Sequence, residues 1–351
     1  MKRNAFCLFL TLLLLLTAVA SAENGFLPTR EYQGKTYQAR PASSVTTMLL
    51  IGYDHKDFGE LDIIPEDYIR GGQSDFLLLL VFDHDSKTIR QLQFNRDTIT
   101  DVRYYSREGA YRGLRQLQLC LSHAYGDTQE LNNKNAIWAV ENLLGISSEG
   151  DGAQVDCYMS MDISGIARLN DLLGGVTVPI EHDYSYYDPT MTPGKTMTLQ
   201  GEQAEYYCRQ RYYIGDSSNL CRMQRQRVYM NAAAQQLKGM LKQDISFANE
   251  LLNGMGIIFD TSKDLDAGFG FTTTDKRGTP VTDTPTHYLM TNKSMNALVN
   301  LLAQVMDYHI ADIEVLPGQS AVSEKTGYME HHLEEDAGLK WALDALYTLA
   351  D

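Results

Sequence analysis

The chain has 351 residues, 44% of them hydrophobic and 21% charged, with a formal net charge of -15. This composition supplies one large or two modest globular cores and excludes an intrinsically disordered chain. The acidic balance excludes nucleic acid as a partner held by bulk electrostatics.

Residues 1–22 stand apart. Lys2 and Arg3 precede an apolar run from Phe6 to Leu16, and Ala20-Ser21-Ala22 follows before Glu23. The pattern is that of a secretory signal peptide with a small-x-small cleavage site, the run being too short for a comfortable membrane span. An uncleaved anchor extended through Thr17 to Ala20 is the alternative, and both place the remainder outside the cytoplasmic membrane. Residues 23–45 carry Gly, Pro, Ser and polar residues without periodicity, as in a linker. After Cys7 has left with the signal, Cys120, Cys157, Cys208 and Cys221 allow three disulfide pairings or four free thiols. None forms a C-x-x-C zinc knuckle.

From Thr46 the pattern is that of a folded unit. Thr47–Ile51 is a buried strand ending in Gly52-Tyr53-Asp54. A second strand, Phe76–Phe82, follows Ser74-Asp75, and a third, Ile89–Phe94, runs into Asn95-Arg96-Asp97. Acids and an arginine thus stand at the ends of three strands, where ligand sites commonly form; a turn or cap role is the alternative for each acid. Helical spacing is expected over Tyr111–Leu121, Asn133–Leu144 and Ile163–Leu173, with strands at Cys157–Met161 and Val176–Ile180. Tyr206–Arg211 reads as extended, which would set Tyr207, Arg209 and Arg211 on one side. A long helix is expected from Leu220 to Leu241. Residues 246–351 contain further helices at Ser294–Met306 and Glu334–Leu349 and read as an extension packed on the first unit. His331-His332 read as surface helix residues.

The stretch from Tyr206 to Arg227 concentrates five arginines (Arg209, Arg211, Arg222, Arg225 and Arg227) against one acid, Asp216. Forked, permanently charged guanidiniums clustered in an acidic protein suggest a phosphate or diphosphate ligand, reinforced by the amides at the start of the long helix. A solvated basic face paired with nearby carboxylates is the other reading.

The order of these motifs resembles the LytR-CpsA-Psr (LCP) family. The likeness rests on Gly52-Tyr53-Asp54, Gln73-Ser74-Asp75, Asn95-Arg96-Asp97, Ser122-His123-Ala124-Tyr125, Leu173-Gly-Gly-Val176, Tyr207-Cys-Arg209-Gln-Arg211, and Asn219 to Gln226 with Arg222 and Arg225. It implies an α/β (α+β) fold: a central mixed sheet with helices on both faces forming a lipid-binding pocket, its walls including Phe76–Phe82 and the 163–173 helix. It implies a catalytic domain over 46–245 and a C-terminal extension over 246–351.

The resemblance also implies an activity: phosphotransfer of a teichoic acid-like or capsular glycopolymer from a polyprenyl-diphosphate carrier to a peptidoglycan hydroxyl at the outer face of the cytoplasmic membrane. Arg96, Arg209, Arg211 and Arg222 are then the diphosphate ligands and Gln226 a polar contact. Asp54 and Asp75 are hard oxygen ligands for Mg2+ or Mn2+, and Asp97 orients Arg96 or acts as base. Three positions depart from the family pattern: Gln73 replaces an arginine, Asn95 a proline and Asn219 an aspartate. A paired loss of a salt bridge, or substitution of Asn219 by Asp216, would accommodate them. A non-catalytic polyprenyl-phosphate or wall-glycan binder of the same fold is the alternative function, and a diphosphate hydrolase a third.

Overall fold

The structure, a computed structural model, describes residues 27–54, 72–106, 109–126, 128–146, 155–260, 273–274, 280–281 and 287–350. The expected signal segment lies outside the described residues. No helix among the described residues is long and apolar enough to cross a membrane.

The first half of the chain contributes β1 (Thr29–Tyr32), β2 (Lys35–Ala39), β3 (Val45–Asp54), β4 (Gln73–Asp83), β5 (Thr88–Phe94), β6 (Ile99–Tyr105) and β7 (Tyr111–Gln118). A 3-10 turn at Leu119–His123 leads to α1 (Gln129–Leu143), β8 (Cys157–Asp162) and α2 (Gly165–Leu172). Next come β9 (Thr177–Ile180), β10 (Lys195–Thr198), α3 (Glu202–Arg209), α4 (Asn219–Gln243) and α5 (Phe247–Gly254). The last third holds β11 (Ile257–Phe259), the short ladder of β12 (Thr273–Thr274) and β13 (Pro280–Val281), β14 (Leu289–Thr291) and α6 (Met295–Val305). It closes with β15 (His309–Val315), β16 (Gly318–Val322), β17 (Met329–Leu333), α7 (Ala337–Leu346) and β18 (Tyr347–Leu349).

The central sheet is mixed and seven-stranded, in the order β11-β14-β8-β3-β4-β5-β15. Its middle strands are apolar at successive positions because both faces are covered. Leu49, Ile51, Leu77, Leu79, Val81 and Leu92 join one core with α1 and α7 residues such as Ala136, Val140, Ala342 and Leu346. Met48 and Phe82, of opposite parity, pack with Leu251 and Leu252 of α5 and Leu298 and Val305 of α6. A third cluster gathers β9, α3 and α4 around Tyr184 and Tyr207.

Four expectations change. Residues 29–39, expected as linker, form a hairpin whose second strand pairs with β18, Tyr347 standing opposite Ala39. Gln33 and Gly34 turn it, both at positive φ (50° and 74°), as a tight two-residue hairpin requires. Tyr111–Gln118 is a strand, not a helix: β6 and β7 make a two-stranded ribbon whose second strand is largely exposed, so no buried face imposes alternation on its sequence. Tyr206–Arg209 is helical because Ala204, Tyr207 and Cys208 bury at three- and four-residue spacing and Glu205 pairs with Arg209 at 2.9 Å. Finally, β14 and β15, from the expected extension, are strands of the central sheet itself.

Candidate functional site

β3 and β5 end, and β4 begins, at the same end of the sheet. Asp54 stands opposite Gln73, and the register slips between Gly52 and Tyr53, so that Asp75 is the extra residue between the partners Ser74 and Phe76. Such a bulge re-aims a side chain. Gly52 allows the strands to close there, since a Cβ would lie 3.1 Å from Phe76 Cβ.

Asp75 is the hub of an ionic network. One carboxylate oxygen accepts from Arg96 Nη1 and the other from Arg222 Nη1 at 2.8 Å. Arg96 also donates to Gln73 Oε1 at 2.6 Å and to Cys120 Sγ at 3.0 Å, and its Nε lies 3.4 Å from Asp97 Oδ1. Arg222 donates to Asn219 Oδ1 at 2.7 Å, and Asn219 Nδ2 donates to Asn95 Oδ1 at 2.8 Å. The Asp97 amide donates to that same Asn95 oxygen at 3.0 Å. A second pair stands beside the first: Arg209 Nη2 lies 3.2 Å from each oxygen of Asp54 and Nη1 reaches Glu205.

Burial shapes the charges. On its own it would raise the Asp75 carboxyl, but Arg222 and Arg96 outweigh it and hold the group below the usual carboxylate range. Asp97 goes the other way, burial raising it against the pull of Arg96 and Arg222. Burial also lowers Arg222, with repulsion from Arg96 and Arg211 opposing the support of Asp75. Arg96 is held above its ordinary value: burial disfavours its charge, but Cys120, Asp75 and Asp97 prevail. The buried Nε groups of Arg96 and Arg222 lack a hydrogen-bond acceptor among the described residues.

Arg211 follows α3 in a turn rather than sharing a strand face with Arg209. Its guanidinium lies 5.8 Å from the Tyr212 ring, and its charge reaches Asp75, Asp97 and Arg222. Gln226, one turn along α4 from Arg222, accepts from Gln93 Nε2 at 3.1 Å and donates to Cys208 O at 3.3 Å. The network therefore joins Gln73, Asp75, Arg96, Asp97, Asn219 and Arg222 directly; Arg211 acts on it through its field, and Asp54 with Arg209 forms the adjoining pair.

Several contributors are not evident in the sequence. Arg225 is buried and donates to the carbonyls of Tyr207 and Gln210, bracing the turn that carries Arg209 and Arg211. Cys120 receives Arg96. The four cysteines after Cys7 are free, and burial pushes the Cys120 thiol up to about 11. His331 is a buried residue of β17, not a surface helix residue, and its amide donates to Asp97 O at 2.8 Å. Asp216 accepts from Ser218 N at the start of α4 instead of standing in for Asn219. Nearby, a cavity of about 810 Å3 opens behind Asn95 between α4 and the β15–β17 segment, lined by Asn95, Met223, Arg227, Leu316 and His331 among others. Neither Phe76–Phe82 nor the 163–173 helix lines it.

A family model described as the LytR_cpsA_psr family matches residues 18–276. The chain belongs to the LytR-CpsA-Psr family. A curated relative from Halalkalibacterium halodurans, polyisoprenyl-teichoic acid–peptidoglycan teichoic acid transferase TagU, is 27% identical over 195 residues, spanning 56% of this chain and 57% of the relative. Among solved structures, TagV of B. subtilis superposes with a TM-score of 0.56 at 16% identity, covering 86% of this chain and 95% of that one. TagT bound to LI-WTA gives 0.55 at 19% identity, covering 93% and 96%. These structural likenesses bear out the mixed-sheet fold.

The departures from the family pattern meet one another. Asn95, where the pattern has proline, touches Asn219, where it has aspartate, while Gln73 accepts from Arg96. Gln73 and Asn219 thus serve different guanidiniums. Restoring Asn219→Asp alone sets a carboxylate against the Asn95 carbonyl oxygen; Asn95→Pro removes that clash. In a denaturation double-mutant cycle the pair is expected to couple favourably by about 0.5–3 kcal/mol. Additive effects would show that the two departures are independent.

Proposed function

We propose that this protein is an extracytoplasmic phosphotransferase that moves a teichoic acid-like or capsular glycopolymer from a polyprenyl-diphosphate carrier to a peptidoglycan hydroxyl. The observation that carries this reading is the set of guanidiniums around Asp75, with two buried Nε–H donors that find no acceptor among the described residues. A buried N–H without a partner costs about 1–3 kcal/mol, and a diphosphate supplies the acceptor oxygens. The relative's name and the LI-WTA bound to TagT support a glycopolymer substrate.

In this reading Arg96, Arg211 and Arg222 bind and orient the diphosphate, and Arg209 joins them from beside Asp54. Phosphoryl transfer needs its oxygens neutralised and its nucleophile placed in line, which fixed guanidiniums provide. Asp97, raised by burial, is suited to take a proton from the attacking hydroxyl. The metal donor set is small: no group of three or more ligating side chains occurs among the described residues. Two hard carboxylates fit Mg2+ or Mn2+, which bind through one or two acids with phosphate oxygens and water completing the shell. Asp54 and Asp75 would hold it, and it would supply additional charge neutralisation at the phosphates. For the lipid, Leu50, Leu80, Met159 and Met161 remain only partly buried beside the α5–α6 core, apolar surface that a polyprenyl tail would cover.

The test uses the purified protein, a short polyprenyl-diphosphate sugar, a soluble peptidoglycan fragment and Mg2+. Sugar phosphate joined to the fragment, lost in Arg96→Ala, is the expected product. Free sugar phosphate with no adduct would make the protein a hydrolase, and tight binding without turnover would make it a binder.

A further inference from the structure

Beyond Arg211 the surface turns aromatic. Tyr186, Tyr212 and Tyr213 are exposed at 70%, 66% and 71%. Tyr186 and Tyr213 belong to a connected group of rings: Tyr186 meets Tyr213 at 4.6 Å between centroids and Tyr187 at 5.1 Å, and Tyr187 meets Tyr206 at 5.7 Å. The Tyr187 hydroxyl donates to Tyr212 O at 3.1 Å, tying the two loops together. Beneath them lies a buried stacked pair, Tyr184 and Tyr207, with Arg225 over the Tyr184 ring. Tyr213 holds a φ of +63°, a conformation rare for an aromatic residue and one that persists only where its surroundings impose it. Large rings left in water on a braced base mark an interaction surface.

The charge around the rings decides what that surface fits. Between Glu181 and Leu220 there are six acids and three cations. Asp183 and Glu202 are exposed, Tyr206 donates to Glu202 at 2.6 Å, and Arg209 is already paired. An anionic lipid leaflet attracts basic segments and is repelled by such a surface. Phenol faces beside carboxylate and phenol oxygens suit a polyhydroxylated ring, whose C–H face stacks on an aromatic and whose hydroxyls donate to the acids.

We propose that Tyr186, Tyr187, Tyr206, Tyr212 and Tyr213 form a saccharide-stacking platform that holds a glycan beside the Arg211 side of the ionic network. The assignment of that glycan to the transfer reaction rests on the proposed function; the binding itself does not.

The experiment is a titration of the whole protein with the soluble β-1,4-linked tetramer of N-acetylglucosamine, followed by calorimetry and tyrosine fluorescence. The variants are Tyr186→Ala/Tyr213→Ala and Tyr186→Phe/Tyr213→Phe. Both side chains are largely exposed, so the fold is retained, checked by thermal melting. Binding is expected in the wild type, weakened about tenfold or more by the alanines, equivalent to about 1.4 kcal/mol, and within about threefold in the phenylalanine pair, where the rings remain. No binding, or binding indifferent to the alanines, overturns the platform. So does association with phosphatidylglycerol vesicles that the alanines abolish while the tetramer is ignored, since that makes the patch a membrane surface. Transfer activity is not read here. A protein that binds the tetramer through these rings but moves no polymer therefore sinks only the transferase reading, and one that moves polymer with the alanines in place and ignores the tetramer sinks only the platform.

Discussion

Asp75→Asn is expected to destabilise the protein by about 3–5 kcal/mol in denaturant unfolding, the cost of removing one partner from a buried ion pair. Arg222, whose side chain is 4% exposed, keeps no carboxylate partner, and Arg96 keeps only Asp97 at 3.4 Å. The two guanidiniums then repel across a site that no longer holds a counter-charge. Pyrophosphate should recover part of the loss and stabilise the variant more than the wild type, because an anion bound only by the folded state adds stability by mass action. Equal stabilisation of both would mean that anions bind elsewhere.

The pH dependence carries the same sign. The folded Asp75 carboxyl lies below its unfolded value of about 3.9, so its contribution is present above that pH and is lost as pH falls through the folded value. Asp75→Asn should therefore flatten the acid limb of the stability profile below about pH 4. Asp97, raised by burial, opposes this: it favours the folded state at low pH and loses that contribution as pH rises through its folded value.

The second large effect is expected in turnover. Arg222→Lys retains a positive charge and can reach Asp75, but it gives up the fork that holds Asp75 and Asn219 together. Loss of a preorganised donor to a transition-state oxygen costs about 10^2–10^3 in kcat. That range is the expected drop in single-turnover transfer, with Arg227→Lys, whose guanidinium hydrogen-bonds Gln93, as the charge-neutral control. A drop of less than about tenfold, against those 10^2–10^3, would take Arg222 out of transition-state contact and leave it as the support of Asp75.

The central strands were legible because burial on both faces writes a continuous apolar run into β3 and β4. The long helix α4 was legible from its spacing, and in the structure Ser218 Oγ caps it by accepting from Cys221 N at 3.0 Å. Asp54, Asp75 and Arg96 stand at strand boundaries as expected, because a strand that ends in polar residues leaves the sheet there. What failed were short elements whose state depends on distant partners. Residues 29–39 are strands because they pair with each other and, through β2, with β18, and β7 because β6 lies alongside. Around Arg209, two-residue alternation and helical spacing coincide over six residues, and packing against Tyr184 decides between them. Cys120 as an acceptor for Arg96 and the contact between Asn95 and Asn219 are tertiary facts that no local pattern carries.

The hairpin of β1 and β2 has a consequence for how the protein comes into being. Its outer partner is β18, and β5, which delivers Asn95-Arg96-Asp97, has β15 as its outer neighbour. A chain emerging from its N-terminus therefore has a raw edge beside the Asn95-Arg96-Asp97 loop until residue 309 is out, and an open hairpin until residue 347. Contacts of such long sequence separation slow folding and leave unpaired strand edges exposed meanwhile. The ionic network therefore assembles late, and deletion of the last few residues should first show as aggregation during folding rather than as a change in specificity.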